Sequence, residues 1–285
     1  MFSKKKLRVE IQNLEGNFFT GVNTLSFENL PIEAKLSYVK LPAGISGRIN
    51  IYGVSKQHMD AITTIKWQED FIVQKAIRLF ADNGEGEFLL FEGNIMSANP
   101  QYDKAPDVCI GIDACAGAFF NLKSEIPPSS LPMGAPVPNV FQKICEDFGV
   151  GFVNNGVTGV VGGSVYFDQS GLFDRINAAA KAYNVYPIMY NNRVEIYPQN
   201  GFSPKLWKFT KQDYIGYPTL TAANYEIKLD HIYNVDLRDR FSISGSEVSP
   251  ANTTFQVIKI VYDVSTKIGG NWLMIIDGVK IQPNE

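Results

Sequence analysis

A chain of 285 residues can hold two or three compact units, because single cores usually stop growing at roughly 100–200 residues. The hydrophobic fraction of 45% and the charged fraction of 19% exclude a disordered or fibrous protein. The net charge of −3 argues against a protein that binds nucleic acid mainly through its phosphates.

The amino terminus has one basic run, Lys4-Lys5-Lys6, which we interpret as a solvated tip before the first strand rather than a phosphate-binding arm. Polar and apolar residues alternate after it, so we expect no signal peptide. No apolar run approaches the roughly 18–20 residues that span a bilayer, and no membrane anchor is expected. Cys109, Cys115 and Cys145 lack CxxC spacing and are predicted to be reduced core residues rather than zinc or redox ligands.

The first third of the chain has the period of two that is typical of half-buried antiparallel strands. Residues 7–12 and 32–38 show it most clearly. Further strands are predicted at Arg48–Tyr52, Gln74–Ala81, Phe88–Ile95 and Val108–Ala114. We also predict a hairpin loop at 82–86, a short helix at His58–Ile65, and a bulge or tight bend at Gly93.

The middle of the chain has a different composition. Five prolines in residues 124–138 indicate a domain boundary or an extended crossover. A first helix is predicted over 140–148 and is ended by Gly149. A second helix is predicted to begin after Ser170, whose side chain can cap it, and to end at Asn184.

The remaining apolar segments are predicted to be strands. They lie at Val185–Tyr190, Arg193–Tyr197, Tyr225–Leu229, Tyr233–Leu237, Phe241–Ser244, Phe255–Tyr262 and Trp272–Ile276. No internal repeat of fixed period is present, but the two ends of the chain look alike in kind. We therefore predict a mainly β protein, in which two tube-like antiparallel β-barrels (residues 1–121 and 201–285) flank a small α/β module (residues 122–200).

Few side chains suit catalysis. The only histidines are His58 and His231, and the neighbouring Asp230 would point to the opposite face of a strand from His231. Asp168 and Asp174 could form a carboxylate pair for glycoside hydrolysis, but both lie where the positive end of a helix dipole favours acids. We therefore predict no catalytic, cofactor-binding or metal-binding residue, and no cofactor.

Two other features are weighed as binding elements. The glycine-rich segment 154–164 fits neither GxxxxGK[ST] nor GxGxxG spacing, so we predict a mobile surface loop rather than a phosphate cradle. Aromatic residues are plentiful, and we expect some of them to anchor a permanent subunit interface. They include Phe18, Phe19, Phe119, Phe120, Trp207, Phe209, Tyr214, Tyr217 and Trp272.

Three groups of residues, in consistent order, are similar to parts of one protein family. The run Phe88–Ile95, followed by Pro106–Ile110 and Asp113-Ala114, resembles the closing hairpin of the first tube-like barrel in phage tail and baseplate hub proteins. Leu172–Ile176 and Asn192–Pro198 resemble the small module with a helix and a hairpin that follows in that family.

The third group is similar to the second barrel of the same family, which ends in a strand that carries tryptophan. It comprises Tyr214–Leu220, Leu237–Ile243, Phe255–Asp263 and Gly270–Trp272. No lysozyme-like or needle-like extension is recognised, so the resemblance assigns any lytic or piercing role to a partner.

The resemblance implies a non-enzymatic structural protein of the virion, located in the tail baseplate and made in the host cytoplasm. It implies a homotrimer whose two barrels per subunit form a ring of pseudo-sixfold symmetry, which joins a hexameric tail tube to a trimeric spike. Such an obligate interface should bury more than about 2,000 Å² per pair. The implied partners are the tail tube protein, the spike protein, other baseplate proteins, a tape measure protein, and DNA as non-specific cargo in the channel.

Two alternatives stay open from the sequence. One is a β-rich carbohydrate-active protein, such as a cell-wall hydrolase that uses Asp168 and Asp174. The other is a spike component of a bacterial secretion system, which shares the barrels.

Overall fold

The computed structural model describes residues 5–14, 16–18, 21–63, 75–121, 126, 128–167, 171–190, 192–221 and 224–281. The protein is mainly β, as predicted, with antiparallel strands at both ends of the chain and an α/β portion between them. None of the helices in these ranges is both long enough and apolar enough to cross a membrane.

The first group of strands is formed by residues 6–115. It comprises β1 (Lys6–Asn13), β2 (Thr24–Phe27), β3 (Ile32–Tyr38), β4 (Ile45–Tyr52), β5 (Lys75–Asp82), β6 (Glu87–Gln101) and β7 (Cys109–Cys115). Alternate residues are buried, such as Leu7, Val9 and Ile11 in β1, which is the period of two predicted above. The predicted helix is α1 (Lys56–Ile62). Its predicted end at Ile65, like Gln74 of the predicted strand, lies outside the described residues.

The α/β portion follows. It comprises α2 (Ala118–Asn121), β8 (Ser129–Leu131), α3 (Val137–Phe148), β9 (Gly151–Asn154), β10 (Val165–Phe167), α4 (Leu172–Tyr183), β11 (Val185–Tyr190) and β12 (Arg193–Pro198). Gly149 (φ 73°) and Asn184 (φ 53°) end α3 and α4 in the left-handed conformation, as predicted. The N-cap of α4 is Gly171 and not the predicted Ser170, which lies outside the described residues. The hairpin β11–β12 is confirmed, and β9 pairs with β12 in parallel, which was not predicted.

The second group of strands is formed by residues 206–280. It comprises β13 (Leu206–Thr210), β14 (Thr219–Thr221), β15 (Asn224–Leu229), β16 (Arg240–Ser244), β17 (Thr254–Ser265) and β18 (Trp272–Lys280). The predicted strand at Tyr233–Leu237 is wrong, because the segment is irregular. The Asp239 carboxylate accepts a hydrogen bond from the backbone N–H of Asp236 at 3.0 Å, and Arg238 has a φ of 72°, so the chain turns there.

The two groups belong to one thirteen-stranded sheet, because β3 pairs antiparallel with β17 from Tyr38 opposite Ile260 to Glu33 opposite Ser265. A second link lies in the β5–β6 loop. The Asn83 side chain accepts a hydrogen bond from Trp272 Nε1 at 3.0 Å and donates one to the Ile232 carbonyl at 2.7 Å. One hydrophobic core therefore extends through both groups.

The two groups repeat the same topology. The first has the strand order β3-β4-β7-β6-β5, and the second has the order β14-β15-β18-β17-β16. The registers also correspond: Ile49 opposes Ile112 as Ile227 opposes Ile276. We call β3–β7 the first half-sheet and β14–β18 the second half-sheet.

The bulges of the two half-sheets also correspond. The ladder between β6 and β7 shifts at Met96, and the ladder between β17 and β18 shifts at Ile258. Gly93 itself carries no bulge, which corrects our prediction; the bulges lie at Leu90 and Met96 on either side of it. A Cβ at Gly93 would lie 3.0 Å from the Cys115 carbonyl, so Gly93 serves the close approach of β7.

Candidate functional site: a polar face across the sheet

One face of the sheet packs on the core, and the opposite face carries a row of polar residues. Asp263, Lys35, Arg48, Asp113 and Ser97 oppose one another in turn on β17, β3, β4, β7 and β6. Directly opposed residues of antiparallel strands lie on the same side of a sheet. The row therefore crosses the seam between the half-sheets without interruption, and we call this surface the polar face.

A second row of the polar face lies on the second half-sheet. Glu226 opposes Asp277, which opposes Lys259, on β15, β18 and β17. The polar face so defined extends over both half-sheets. Its charged members on β3, β4, β7, β15, β17 and β18 are Glu33, Lys35, Arg48, Asp113, Glu226, Lys228, Lys259, Asp263 and Asp277.

Ion pairs balance the charges of the polar face. Arg48 Nη1 lies 3.6 Å from Asp113 Oδ1, and Lys259 Nζ lies 3.6 Å from Asp277 Oδ2. Partial burial raises the pKa of Asp277, and Lys259 opposes this shift. Lys35 and Arg48 oppose each other directly, but the five acids of the polar face outnumber its four cations, so the face as a whole does not favour a polyanion.

A second polar cluster lies where the α/β portion meets the second half-sheet, in an open cleft of about 410 Å³. It contains three acids. Asp236 Oδ2 pairs with Lys205 Nζ at 2.9 Å, and Asp239 Oδ2 accepts from Trp207 Nε1 at 3.0 Å. Glu195 accepts from Arg193 Nε at 2.7 Å and from the Tyr197 hydroxyl at 3.0 Å.

These contacts fix the cleft acids in place. Burial raises the pKa of Asp236, Lys205 opposes the shift, and Asp239 and Glu195 add to it. Burial also raises the pKa of Tyr190, which lines the same cleft. The acids on both sides of the cleft are therefore partnered, Glu195 by residues of β12 and Asp236 and Asp239 by residues in or next to β13.

Of the two carboxylates considered for glycoside hydrolysis, Asp174 is among the described residues. Asp174 lies in the first turn of α4, as expected for an acid at the positive end of a helix, and Asp168 lies outside the described residues.

The histidines have structural contacts. His231 Nε2 lies 3.3 Å from Asn83 Nδ2 in the link between the groups of strands, and Ser55 Oγ lies 2.7 Å from His58 Nδ1. In the described part of the chain, no three His, Cys, Asp or Glu side chains are grouped to hold a metal ion.

The cysteines are free, and Cys109 and Cys145 are buried. Cys115 is half-buried, so its placement is less interior than we predicted. Burial raises the pKa of Cys145 to about 12, which disfavours the reactive thiolate.

The glycine-rich segment 154–164 lies largely on the surface, as predicted, and two buried valines anchor it to the α/β core. Val157 and Val161 are buried, and Val137 N donates to the Gly159 carbonyl at 3.0 Å. Gly134 N donates to the Val161 carbonyl at 2.9 Å. Val160, in contrast, is exposed.

Of the nine aromatic residues expected at an interface, four are buried in the core. Phe18, Phe209, Tyr214 and Trp272 are buried, whereas Tyr217 is 57% exposed. Phe19 lies outside the described residues. Sequence reasoning did not identify the polar face, because the face depends on which residues oppose one another across strands.

No family model matches the sequence, and no curated protein matches it. The structure is similar to solved structures. It matches the 43 kDa tail protein of prophage MuSo2 from Shewanella oneidensis with a TM-score of 0.65 and 11% identity, over 98% of this chain and 97% of that one. It matches the tail protein from Neisseria meningitidis MC58 with a TM-score of 0.63 and 9% identity, over 95% and 96%.

A third similar structure is the E. coli c3393 protein, described as a component of the type VI secretion system with structural similarity to the T4 tail proteins gp27 and gp5. The TM-score is 0.65 and the identity 8%, over 96% of this chain and 77% of that one. The fold implied by the sequence resemblance is therefore confirmed: this chain has the fold of phage tail proteins.

Proposed function

We propose that the protein is a structural baseplate hub of a phage or phage-like tail. Three copies form a ring that continues the central channel of a hexameric tail tube and meets a trimeric spike. The observation that carries this proposal is the register-matched pair of half-sheets. Three copies supply six equivalent sheets, which is the number that a sixfold tube presents.

The polar face is the surface that we assign to the channel wall. DNA that passes a wall whose cations are paired with acids releases few counterions, so binding to its phosphates does not hold it in the channel. The balanced ion pairs Arg48–Asp113 and Lys259–Asp277 fit that requirement.

The partners follow from the ring. They are a second and third copy of the chain, the tail tube protein, the spike protein, other baseplate proteins and a tape measure protein, with DNA as non-specific cargo. We place the protein in the virion, at the tail baseplate. We also propose that the chain divides into a first barrel at 1–121, an α/β insert at 122–200 and a second barrel at 201–285.

The test is the mass of the purified protein in solution together with low-resolution images. We expect three times the mass of one chain and a ring with threefold symmetry around a central hole. A compact monomer at every concentration would contradict the proposal.

A spike component of a secretion system is the second candidate, because the E. coli c3393 structure is as similar as the Shewanella one. Labelled antibodies against this chain separate the two: a baseplate hub marks one end of phage-like particles. Absence from such particles, with presence in a secretion apparatus, would favour the second candidate.

A cell-wall hydrolase predicts loss of turbidity when the protein is added to cell walls. We expect no loss of turbidity, because the cleft acids already bind Lys205, Trp207 and Arg193. Lysis that disappears in Asp168→Asn or Asp174→Asn would overturn the structural function.

A further inference from the structure

The edge strand β14 carries an apolar residue that the rest of the fold leaves uncovered. Leu220 is 61% exposed. Its equivalent in the first half-sheet is Leu36, since Leu36 opposes Gly47 as Leu220 opposes Tyr225. Leu36 is 1% exposed, and it lies where β17 adds to β3, with Tyr262 directly opposite. The difference between the two leucines is therefore the strand that pairs with β3.

The strand equivalent to β17 is β6. The two align from Ile95 with Val257 to Gln101 with Asp263, because each pair opposes equivalent residues of β7 and β18. β16 pairs with β17 only at residues 254–256, which leaves the same edge of β17 free for β3 from Ile260 onward.

β6 has a corresponding edge. β5 pairs with β6 only as far as Asn94, and in the described part of the chain no strand pairs with that edge of β6 beyond it. The Thr63 hydroxyl donates to the Ala98 carbonyl. The part of this edge that a further strand could meet is therefore Asn99–Gln101. Pro100 lies in it, and proline within a sheet is typical of an edge. Because proline has no N–H, a strand that adds here can only donate to the Pro100 carbonyl. Tyr102, which follows, is 52% exposed.

We propose that β14 of one copy of this chain adds antiparallel to the Asn99–Gln101 segment of β6 in a second copy. The register is that of the β3–β17 seam, so Thr219 lies opposite Gln101 and Leu220 opposite Pro100. The proposal rests on the proposed function, in that it names the joint between neighbouring copies of the ring.

A second copy is the occupant because both edges lie on every chain and the seam already pairs their equivalents. The Lys35–Asp263 pair of the seam corresponds to Thr219 and Gln101, which bring no like charges together. A joint between two different edges is heterologous, and such joints close into rings when the rotation permits. The ring then alternates between the seam within a chain and the joint between chains.

The first experiment compares Leu220→Lys with Met133→Lys by sedimentation of the full-length chain. Both side chains are exposed, at 61% and 71%, so neither change disturbs a core. We expect Leu220→Lys to weaken association by roughly 100-fold, because an apolar anchor at the centre of an interface becomes charged. Met133→Lys should associate like the wild type. At concentrations where all three proteins are monomeric, both variants should have the melting temperature of the wild type.

The second experiment tests the register by oxidation of paired cysteines. Thr219→Cys combined with Gln101→Cys should give covalent dimers and higher oligomers on a denaturing gel. The control combines Thr219→Cys with Ser97→Cys, four residues along β6 from Gln101 and so roughly 13 Å from the expected partner. The single variants report any contribution of the native cysteines.

The outcomes separate the two proposals. A wild-type ring that survives Leu220→Lys, with no link between positions 219 and 101, overturns this joint and leaves the baseplate hub standing. A wild type that stays monomeric at every concentration overturns both. Linkage by the register control in place of the matched pair also overturns the joint.

Discussion

At the scale of single residues, buried polar side chains hold the parts of the molecule together. Asn83 is 7% exposed and connects the β5–β6 loop to Ile232 and Trp272. The sequence predicts the loop from its glycines, but the partners of Asn83 lie about 150 or more positions away and leave no local signal. The buried Arg175 in α4 escaped prediction for the same reason, because its partner is the Ile126 carbonyl at 3.1 Å.

Replacing Asn83 by alanine should destabilise the protein by about 2–3 kcal/mol. The change leaves the Trp272 N–H and the Ile232 carbonyl buried without their partner, and such groups cost about 1–3 kcal/mol each. Urea unfolding measures the loss. Asn234→Ala, at an exposed position, is the control and should stay within about 0.5 kcal/mol of the wild type. Equal stability of the two variants would contradict the role of Asn83.

The stability of the protein should depend on pH through Asp236. Its pKa is raised in the folded state by burial, against the Lys205 pair and with Asp239 and Glu195 nearby. The folded state therefore favours the protonated acid. The stabilisation is fully present below the unfolded pKa, near 3.8, and is lost as pH rises through the raised folded value.

Asp236→Asn removes this titration. The free energy of unfolding of the variant, relative to the wild type, should rise with pH above about 4 and then level off. Asp60→Asn, on α1 away from the cleft, is the control. A relative stability that falls with pH would mean that the Lys205 pair dominates over burial.

At the scale of helices and strands, hydrophobic period predicts most of the elements. It finds β1 and β3 because their buried residues recur every two positions. It finds α3 and α4 because their buried residues recur every three to four positions. It misses the short strands β2, β8, β9, β10, β13 and β14, which have three to five residues each and so too few for a clear period. It places a false strand at 233–237, because the Asp239 side chain and the backbone at Arg238 impose a turn within an apolar segment.

Gly93→Ala should destabilise β6 by about 1–3 kcal/mol. The added Cβ would meet the backbone of Cys115 at 3.0 Å and Phe91 Cζ at 2.9 Å, so the β6–β7 pair must move apart. Gly162→Ala is the matched control, since its Cβ would meet no atom within 4 Å. Thermal unfolding of both variants measures the difference. A Gly93 variant as stable as the Gly162 variant would show that the strands separate at no cost.

At the scale of the whole molecule, register decides what the sequence alone does not. Alternating polar residues predict a solvated face for each strand, but they do not say that Lys35, Arg48 and Asp113 form one row. The two half-sheets also escape detection as a repeat. Lys35 corresponds to Thr219, 184 positions later, and Ser97 corresponds to Lys259, 162 positions later. Because the offset between equivalent residues changes along the chain, no fixed period appears in the sequence.

Added lysines should convert the polar face into a DNA-binding surface. Ser37 and Ser46 oppose each other on it, and both are half-buried. The assembled Ser37→Lys/Ser46→Lys variant should bind duplex DNA, and contact with about six phosphates should weaken binding roughly 10³-fold between 50 and 200 mM salt. Fluorescence anisotropy measures this. Ser130→Lys/Ser249→Lys adds the same charge at exposed sites elsewhere. Equal binding by both variants would contradict our assignment of the channel wall.

Two matching sheets on one polypeptide are free to diverge, whereas identical subunits would change at every position together. Arg48 opposes Asp113 in one half, while Glu226 opposes Asp277 in the other, so the charge has already reversed at one member of an equivalent pair. The α/β portion with α3 and α4 likewise follows only the first of the two sheets. In a closed ring, every second sheet would then be followed by the α/β portion and the next sheet would not. In the ring that we propose, one gene would thereby encode both a sixfold-compatible wall and a threefold arrangement of α/β modules.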